Sequence, residues 1–367
     1  MTLDFVASDH GTLGIEFEAD LVDATTLQRA PLATDVAANV QQKLHRGSIN
    51  PDLFESTIEF STGICVSLDQ ALNDFQEIYA TTKPELERRQ LKLLGMGLHP
   101  FAPASEAIAA RGSRYQDIMK RIAWPARQVS TNALHVHIGM PSGDHAIAVA
   151  TTLRPVLPVL LALSASSPFR SGEVTGLAST RAALFASVPR SGPMPNFNNY
   201  SHYVSFCEAM IRADAIPTEL HTWWDCRLQP SLGTLELRIT ESVADLNDIA
   251  ALSALAWCMG VGAQHLNDFH LPTEFSDENR WRAIRFGSDA NFLVSTDGVT
   301  TPLHHLVSRL ITALSSTATD LGCLAELERC EELAKGTSRH QRLTTNHEDV
   351  SSAELANRAA TEMLVNW

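Results

Sequence analysis

At 367 residues, with 44% hydrophobic and 19% charged side chains, the chain is long enough to enclose a substantial core and too apolar to be disordered. Its formal net charge of −14 excludes a general nucleic-acid binder, which needs a basic surface, but not a phosphate ligand held by local arginines or a metal. Six cysteines without a CxxC pair argue against a zinc site or a disulfide framework and fit free buried thiols in a reducing cytoplasm.

The opening "MTLDFVASDH" lacks the basic and apolar regions of a secretory signal. The most apolar stretch, "IAVATTLRPVLPVLLALSAS", is interrupted by Arg154, Pro155 and Pro158 and reads as core, not as a membrane span. A cytoplasmic protein with no membrane partner is expected.

In chain order, strand-like runs fall at 12–22, 57–65, 92–98, 132–140, 220–227 and 234–240. Helical patterns fall at 67–91, 105–122, 146–165, 200–214, 243–269, 301–321, 323–336 and 352–366. The long, uneven helical insertions do not have the regular beat of a doubly wound sheet. They predict an α+β fold, with helices packed on a mixed or antiparallel sheet, in one domain spanning 1–367. The segment 186–199, "ASVPRSGPMPNFNN", is rich in Pro, Gly and Asn and suits a functional loop or lid.

Chemistry concentrates on the strands. In "TLGIEFEADLVD", alternation turns Glu16 and Glu18 to one face and Phe17 to the other. In "INPDLFESTIEFSTGIC", Glu59 shares a face with Thr57, opposite Ile58 and Phe60, and Asp52 lies seven residues before it. "LGTLELRIT" places Glu236 with Arg238, opposite Leu235 and Leu237. One such strand is most simply a solvated face. Three of them, with so few basic partners, suggest a shared acidic site, which repels itself unless a hard divalent cation such as Mg²⁺ sits inside it. "STNALHVHIGMPSG" sets His135 and His137 two apart on a further strand, as core imidazoles or as part of a metal or phosphate shell. Arg181, Arg190, Arg227 and Arg238 supply counter-charge, either in surface salt bridges or for carboxylate and phosphate oxygens. No nucleophile elbow, P-loop or kinase glycine loop occurs, and "GMGLHPF" at 95–101 lacks the third glycine of a dinucleotide fingerprint.

Together, "TLGIEFEADLVD", "LGMGLHPFAP", "LHVHIGMPS", "LSASSPFRSGEVTGLASTRAALFASVPRSGP", "AIPTELHTWWDCR", "GTLELRI" and "NRWRAIRFG", in that order from residue 12 to about 287, resemble the bacterial carboxylate–amine ligases of the second glutamate–cysteine ligase type. The resemblance implies an antiparallel β-sheet funnel flanked by helices, like the catalytic domains of glutamine synthetase and the guanidino kinases. It also implies an ATP-dependent ligase that joins an amino-acid carboxylate, the γ-carboxylate of glutamate first among them, to an amine such as that of cysteine through an acyl phosphate. By the same resemblance Glu16, Glu18, Asp52, Glu59, His135 and Glu236 are metal ligands for Mg²⁺ or Mn²⁺. His137, Arg238 and Arg227 act at the transferring phosphate, and Arg181, Arg190 and Arg238 contact nucleotide or substrate. A homodimer is a common arrangement in such families. Two alternatives stand beside this one: a specialised ligase with another amine, and a guanidino-type phosphotransferase on the same architecture. The chain departs from the family where Phe17 interrupts the usual triple Glu, where Asp52 replaces a glutamate, and in "RITESVADLND".

Overall fold

The computed structural model describes residues 3–345 and 350–367. Its centre is a seven-stranded sheet, paired antiparallel throughout: β1 (Leu13–Asp23), β2 (Ser48–Pro51), β3 (Thr57–Ser61), β4 (Leu91–Leu94), β5 (Leu134–Gly139), β6 (Cys226–Gln229) and β7 (Thr234–Leu237). The strand order is β6–β7–β5–β1–β3–β2. The long β1 runs through the middle, with β3 on one edge and first β5, then β4, on the other.

Side-chain alternation decides what each face of β1 does. Leu13, Ile15, Phe17, Ala19 and Leu21 are almost fully buried on one face, while Glu16 and Glu18 point to the other. Three helices cover the apolar face: α1 (Leu68–Arg88), α2 (Gly143–Leu153) and α3 (Leu246–Val261). Their starts are locally specified. Ser67 accepts a hydrogen bond from the Gln70 amide, Ser142 one from His145, and Asp245 accepts from Asn247 and Asp248. In α3 every residue from Ile249 to Gly260 is buried. Gly260 is needed there, because a Cβ would lie 2.3 Å from Ile138 Cδ1; its absence lets α3 lie directly beneath β5. Two outer helices, α4 (Leu303–Leu321) and α5 (Leu324–Lys335), pack against α3.

The main helical and strand segments appear where expected with shifted bounds: β1 and β4 reach one residue beyond theirs, and the 105–122 run is α-helical only over Ser113–Ile122. The 146–165 run is two helices, Gly143–Leu153 and Leu157–Ser164, bent by 63°; the break falls at Pro155, which cannot donate to a continuing ladder. The 243–269 run turns by 92° into a 3₁₀ segment, Ala263–Phe269. Among the described residues no single helix is long and apolar enough to cross a membrane. The 220–227 run is not one strand: Trp223–Trp224 pairs in parallel with Ser191–Gly192, and β6 begins after it. The 186–199 segment is therefore held by a separate two-stranded ladder to Trp223–Trp224, just before β6, with Met194 and Phe197 buried. Helices Ala33–Val40, Thr180–Phe185 and Thr273–Phe286 were not expected. All six cysteines are free and buried.

Candidate active site

The polar face of the sheet forms the floor of a cleft of about 650 Å³. Cross-strand register assembles the floor. Glu18 stands opposite Glu59, and Glu59 is opposite Asn50; Glu16 stands opposite His135; Glu236 is flanked by His137 on β5 and Arg227 on β6. Residues far apart in sequence thereby share one surface, through pairings that a one-residue slip of any strand would reverse.

Two groups result, each with ligand atoms within 4.8 Å of one another: Glu16, His137 and Glu236, and Glu18, Asp52 and Glu59. His135 lies between them, its Nδ1 at 3.1 Å from Glu16, 3.7 Å from Glu18 and 3.8 Å from Glu236. His137 Nε2 approaches Glu16 to 3.2 Å, and its Nδ1 is 3.0 Å from the Thr234 hydroxyl. Among the described residues, Nε2 of both imidazoles is buried without an aligned hydrogen-bond partner.

The two groups differ electrostatically. Burial and the neighbouring Asp52 push the Glu18 carboxyl well above its usual range, and burial with Glu16, Asp52 and Glu18 does the same to Glu59. Burial also raises Asp52. Among the described residues these three carboxyls have no ion pair within 4.0 Å other than the His135–Glu18 contact, so their charge calls for a cation. Glu236 is the opposite case. Burial opposes its charge, but Arg227 and Arg238 outweigh burial and hold it well below the usual range. Arg227 donates from Nε at 2.8 Å, Gln229 donates at 2.7 Å, and Arg238 Nη1 contacts Oε1. Burial likewise opposes the charge on Glu16, which the nearby His137 charge and the hydrogen bond from His135 hold low. His135 is depressed to about 4 by burial and Arg238.

An oxygen-rich set suits Mg²⁺, and a mixed oxygen–imidazole set suits Mn²⁺ as well. The uncompensated acidic trio and the two unpartnered imidazole nitrogens fit divalent cations. Glu16, Glu18, Asp52, Glu59, His135, Arg181, Arg227 and Arg238 line the cleft; Glu236 is wholly buried and His137 nearly so, just below its surface. Arg181 is buried and donates only to the Ile239 and Arg238 carbonyls at 3.4 and 3.3 Å, leaving Nε unpartnered among the described residues. Arg190 is not brought to the cleft: it donates to the His221 carbonyl and lies 5.8 Å from the Trp223 ring. Gln229, Arg114 and Tyr115 also line the cleft. Gln229 was legible as the residue two beyond Arg227 on the same strand face; Arg114 and Tyr115, on a helix, gave no such signal.

The glycines of "GMGLHPF" serve packing. A Cβ on Gly97 would meet the Glu241 carboxyl at 2.5 Å. Glu241, fully buried, accepts hydrogen bonds from the Ser166 amide and from the hydroxyls of Ser166, Ser167 and Ser179. Ser167 Oγ in turn accepts from the Arg181 amide, which sets that arginine at the cleft wall.

Residues 12–361 match the model of glutamate–cysteine ligase family 2. The chain belongs to that family. It is 33% identical over 340 residues to a protein of Rubrobacter xylanophilus provisionally named glutamate–cysteine ligase 2-3, covering 92% of this chain and 93% of the relative. It is 34% identical over 335 residues to a Frankia casuarinae protein provisionally named glutamate–cysteine ligase 2-1, covering 89% and 88%. Among solved structures, the glutamate–cysteine ligase of Francisella tularensis in complex with AMP superposes with a TM-score of 0.69 at 12% identity, covering 97% of this chain and 90% of that one. A bifunctional glutathione synthetase from Pasteurella multocida superposes with a TM-score of 0.64 at 15% identity, covering 96% and 52%. At such identity the likeness shows the shared fold. Family membership makes the chain a carboxylate–amine ligase, an enzyme that forms a C–N bond.

Proposed function

We propose that this ligase uses ATP and Mg²⁺, with Mn²⁺ as a substitute, to join the γ-carboxylate of glutamate to an amine, cysteine being the first candidate, through an acyl phosphate. One observation carries the reading: two separate cation-suited groups, Glu16–His137–Glu236 and Glu18–Asp52–Glu59, share the floor of one cleft. The AMP in the Francisella tularensis neighbour supports a nucleotide in the cleft. When bound, the cations supply neutralisation of phosphate charge, which is most of what phosphoryl transfer asks of a protein.

The chain's own residues do the remaining work. Glu18, Asp52 and Glu59 hold one cation, and Glu16, Glu236 and His137 hold a second, with His135 between them. Arg238, now engaged by Glu236, is placed to exchange that carboxylate for a phosphate oxygen, while Arg227 and Gln229 keep Glu236 oriented. Arg181 offers a free donor edge to an anionic substrate group. Arg190 has only an indirect place, behind Trp223. No side-chain nucleophile is required, because the substrate carboxylate attacks phosphorus and the amine then attacks the acyl carbon, releasing phosphate.

Purified protein supplied with ATP, Mg²⁺ and paired amino acids and amines should release ADP and phosphate only when both substrates are present, with the amide detected by mass spectrometry. ADP without free phosphate would indicate phosphotransfer to the amine instead. Absence of turnover with every pair sinks the proposal.

A further inference from the structure

The aromatic cluster beneath the acidic strands contains a residue far from them in sequence. Trp367 places its ring 4.8 Å from Phe17, 6.3 Å from Phe60, 5.8 Å from Phe75 and 5.6 Å from Tyr79, measured between centroids. Its segment is fastened at several points. Val365 N donates to the Leu93 carbonyl, Gly95 N to the Met363 carbonyl, Tyr79 Oη to the Val365 carbonyl and Trp367 Nε1 to the Ala244 carbonyl. Residues 363–367 therefore clamp β4, α1 and the segment leading into α3 while pressing one ring upward.

The rings it presses on stand next to the acidic groups. Phe17 lies between Glu16 and Glu18, and Phe60 follows Glu59. Phe17 and Phe60 are also direct cross-strand partners. On a strand successive side chains leave the backbone to opposite faces, so a ring held from below fixes the stretch of backbone from which the flanking carboxylates rise. Phe17, on the apolar face of β1, gives Trp367 a ring to meet directly under the acidic strands.

We propose that Trp367 is a positioning residue for the cation site: through Phe17 and Phe60 it holds Glu16, Glu18 and Glu59 in the spacing that divalent cations require. The inference rests on the metal reading above. Outer-shell partners hydrogen-bonded to metal ligands contribute about 10–100-fold in metal affinity, and a ring acting through the strand backbone belongs at the lower end of that range.

Mn²⁺ binding to the purified protein, without ATP or substrates, tests it by calorimetry and by quenching of tryptophan emission. Trp367→Leu, which keeps apolar bulk and loses the ring, should weaken Mn²⁺ binding about tenfold or more, and Trp367→Phe should restore most of it. Phe17→Leu should weaken binding similarly, and the double variant should be little worse than either alone, because both act through one contact. Trp367→Leu with a lowered melting temperature but wild-type Mn²⁺ affinity would overturn the inference and leave the metal reading intact. Wild-type protein that binds no Mn²⁺ would overturn both.

Discussion

Replacing Glu18 by glutamine should have opposite effects in the presence and absence of metal. Its ligand oxygen lies within 4.8 Å of those of Asp52 and Glu59. At that separation two unit charges repel by roughly 3 kcal/mol at an effective dielectric near 20. Burial and Asp52 raise the Glu18 pKa in the folded protein. Metal-free protein is therefore destabilised as pH rises from the ordinary carboxylate range to neutrality, because the unfolded chain ionises freely and the folded one does not. Glu18→Gln removes that term and should stabilise the metal-free protein by about 1–3 kcal/mol, about 1–4 °C in Tm for a chain of this size. Wild-type protein at about a hundredfold excess of Mn²⁺ over Kd should gain about 2.7 kcal/mol, and the variant should lose most of that gain and its turnover. Glu236→Gln makes the same chemical change but should destabilise the metal-free protein by about 3–5 kcal/mol, because it strips the counter-charge from buried Arg227 and Arg238. Scanning calorimetry in EDTA and in MnCl₂ reads both signs. A lower metal-free Tm for Glu18→Gln, or a full Mn²⁺ shift retained in it, would refute the reasoning.

Other expectations follow from buried polar groups outside the acidic trio. His99 is held neutral, its pKa lowered from 6.5 to about 4 by burial, with Nε2 donating to the Leu27 carbonyl and Nδ1 accepting from the Ala102 amide. The unfolded chain binds this proton first, so stability should fall by about 3 kcal/mol as pH drops from 6.5 to 4; a His99→Gln melting profile should be flatter over that window, and an unchanged slope would contradict the assignment. Gly97→Ala should cost about 1–3 kcal/mol by pushing a methyl into the Glu241 carboxyl, read as a lower midpoint in urea. Arg280→Leu should lower stability by about 3 kcal/mol or more, because Arg280 grips the buried Asp225 with two hydrogen bonds at 2.6 and 3.0 Å. The Asp225→Asn/Arg280→Leu double variant should recover part of that loss in the same titration.

Much of the site is legible in the amino-acid sequence, for a simple reason. Strand alternation is local, so Glu16 and Glu18 can be assigned to one face and Phe17 to the other from residue order alone, and the same holds for His135 with His137 and Glu236 with Arg238. The resemblance joins these pieces into one family. What alternation cannot supply is register. It cannot say that Glu18 stands beside Glu59, that Glu16 meets His135, or that Glu236 is shared between His137 and Arg227. Nor can spacing separate Arg181, which reaches the cleft wall, from Arg190, further along the same segment, which does not.

The helices divide in the same way. Long apolar patterns such as 67–91 and 301–321 are legible because one period dominates them. Thr273–Phe286, "TEFSDENRWRAIRF", is not, because charged residues are spread along it, Trp281 and Phe286 stay exposed, and its burial depends on neighbours distant in sequence. By itself the sequence determined the chemistry of the floor and the faces of its strands, since both depend on residue type and neighbouring positions. Only the tertiary structure decided which carboxylates share a cation-sized group, which arginines neutralise Glu236, and that Trp367 lies under Phe17. Those depend on strand register and on segments from opposite ends of the chain meeting in one core.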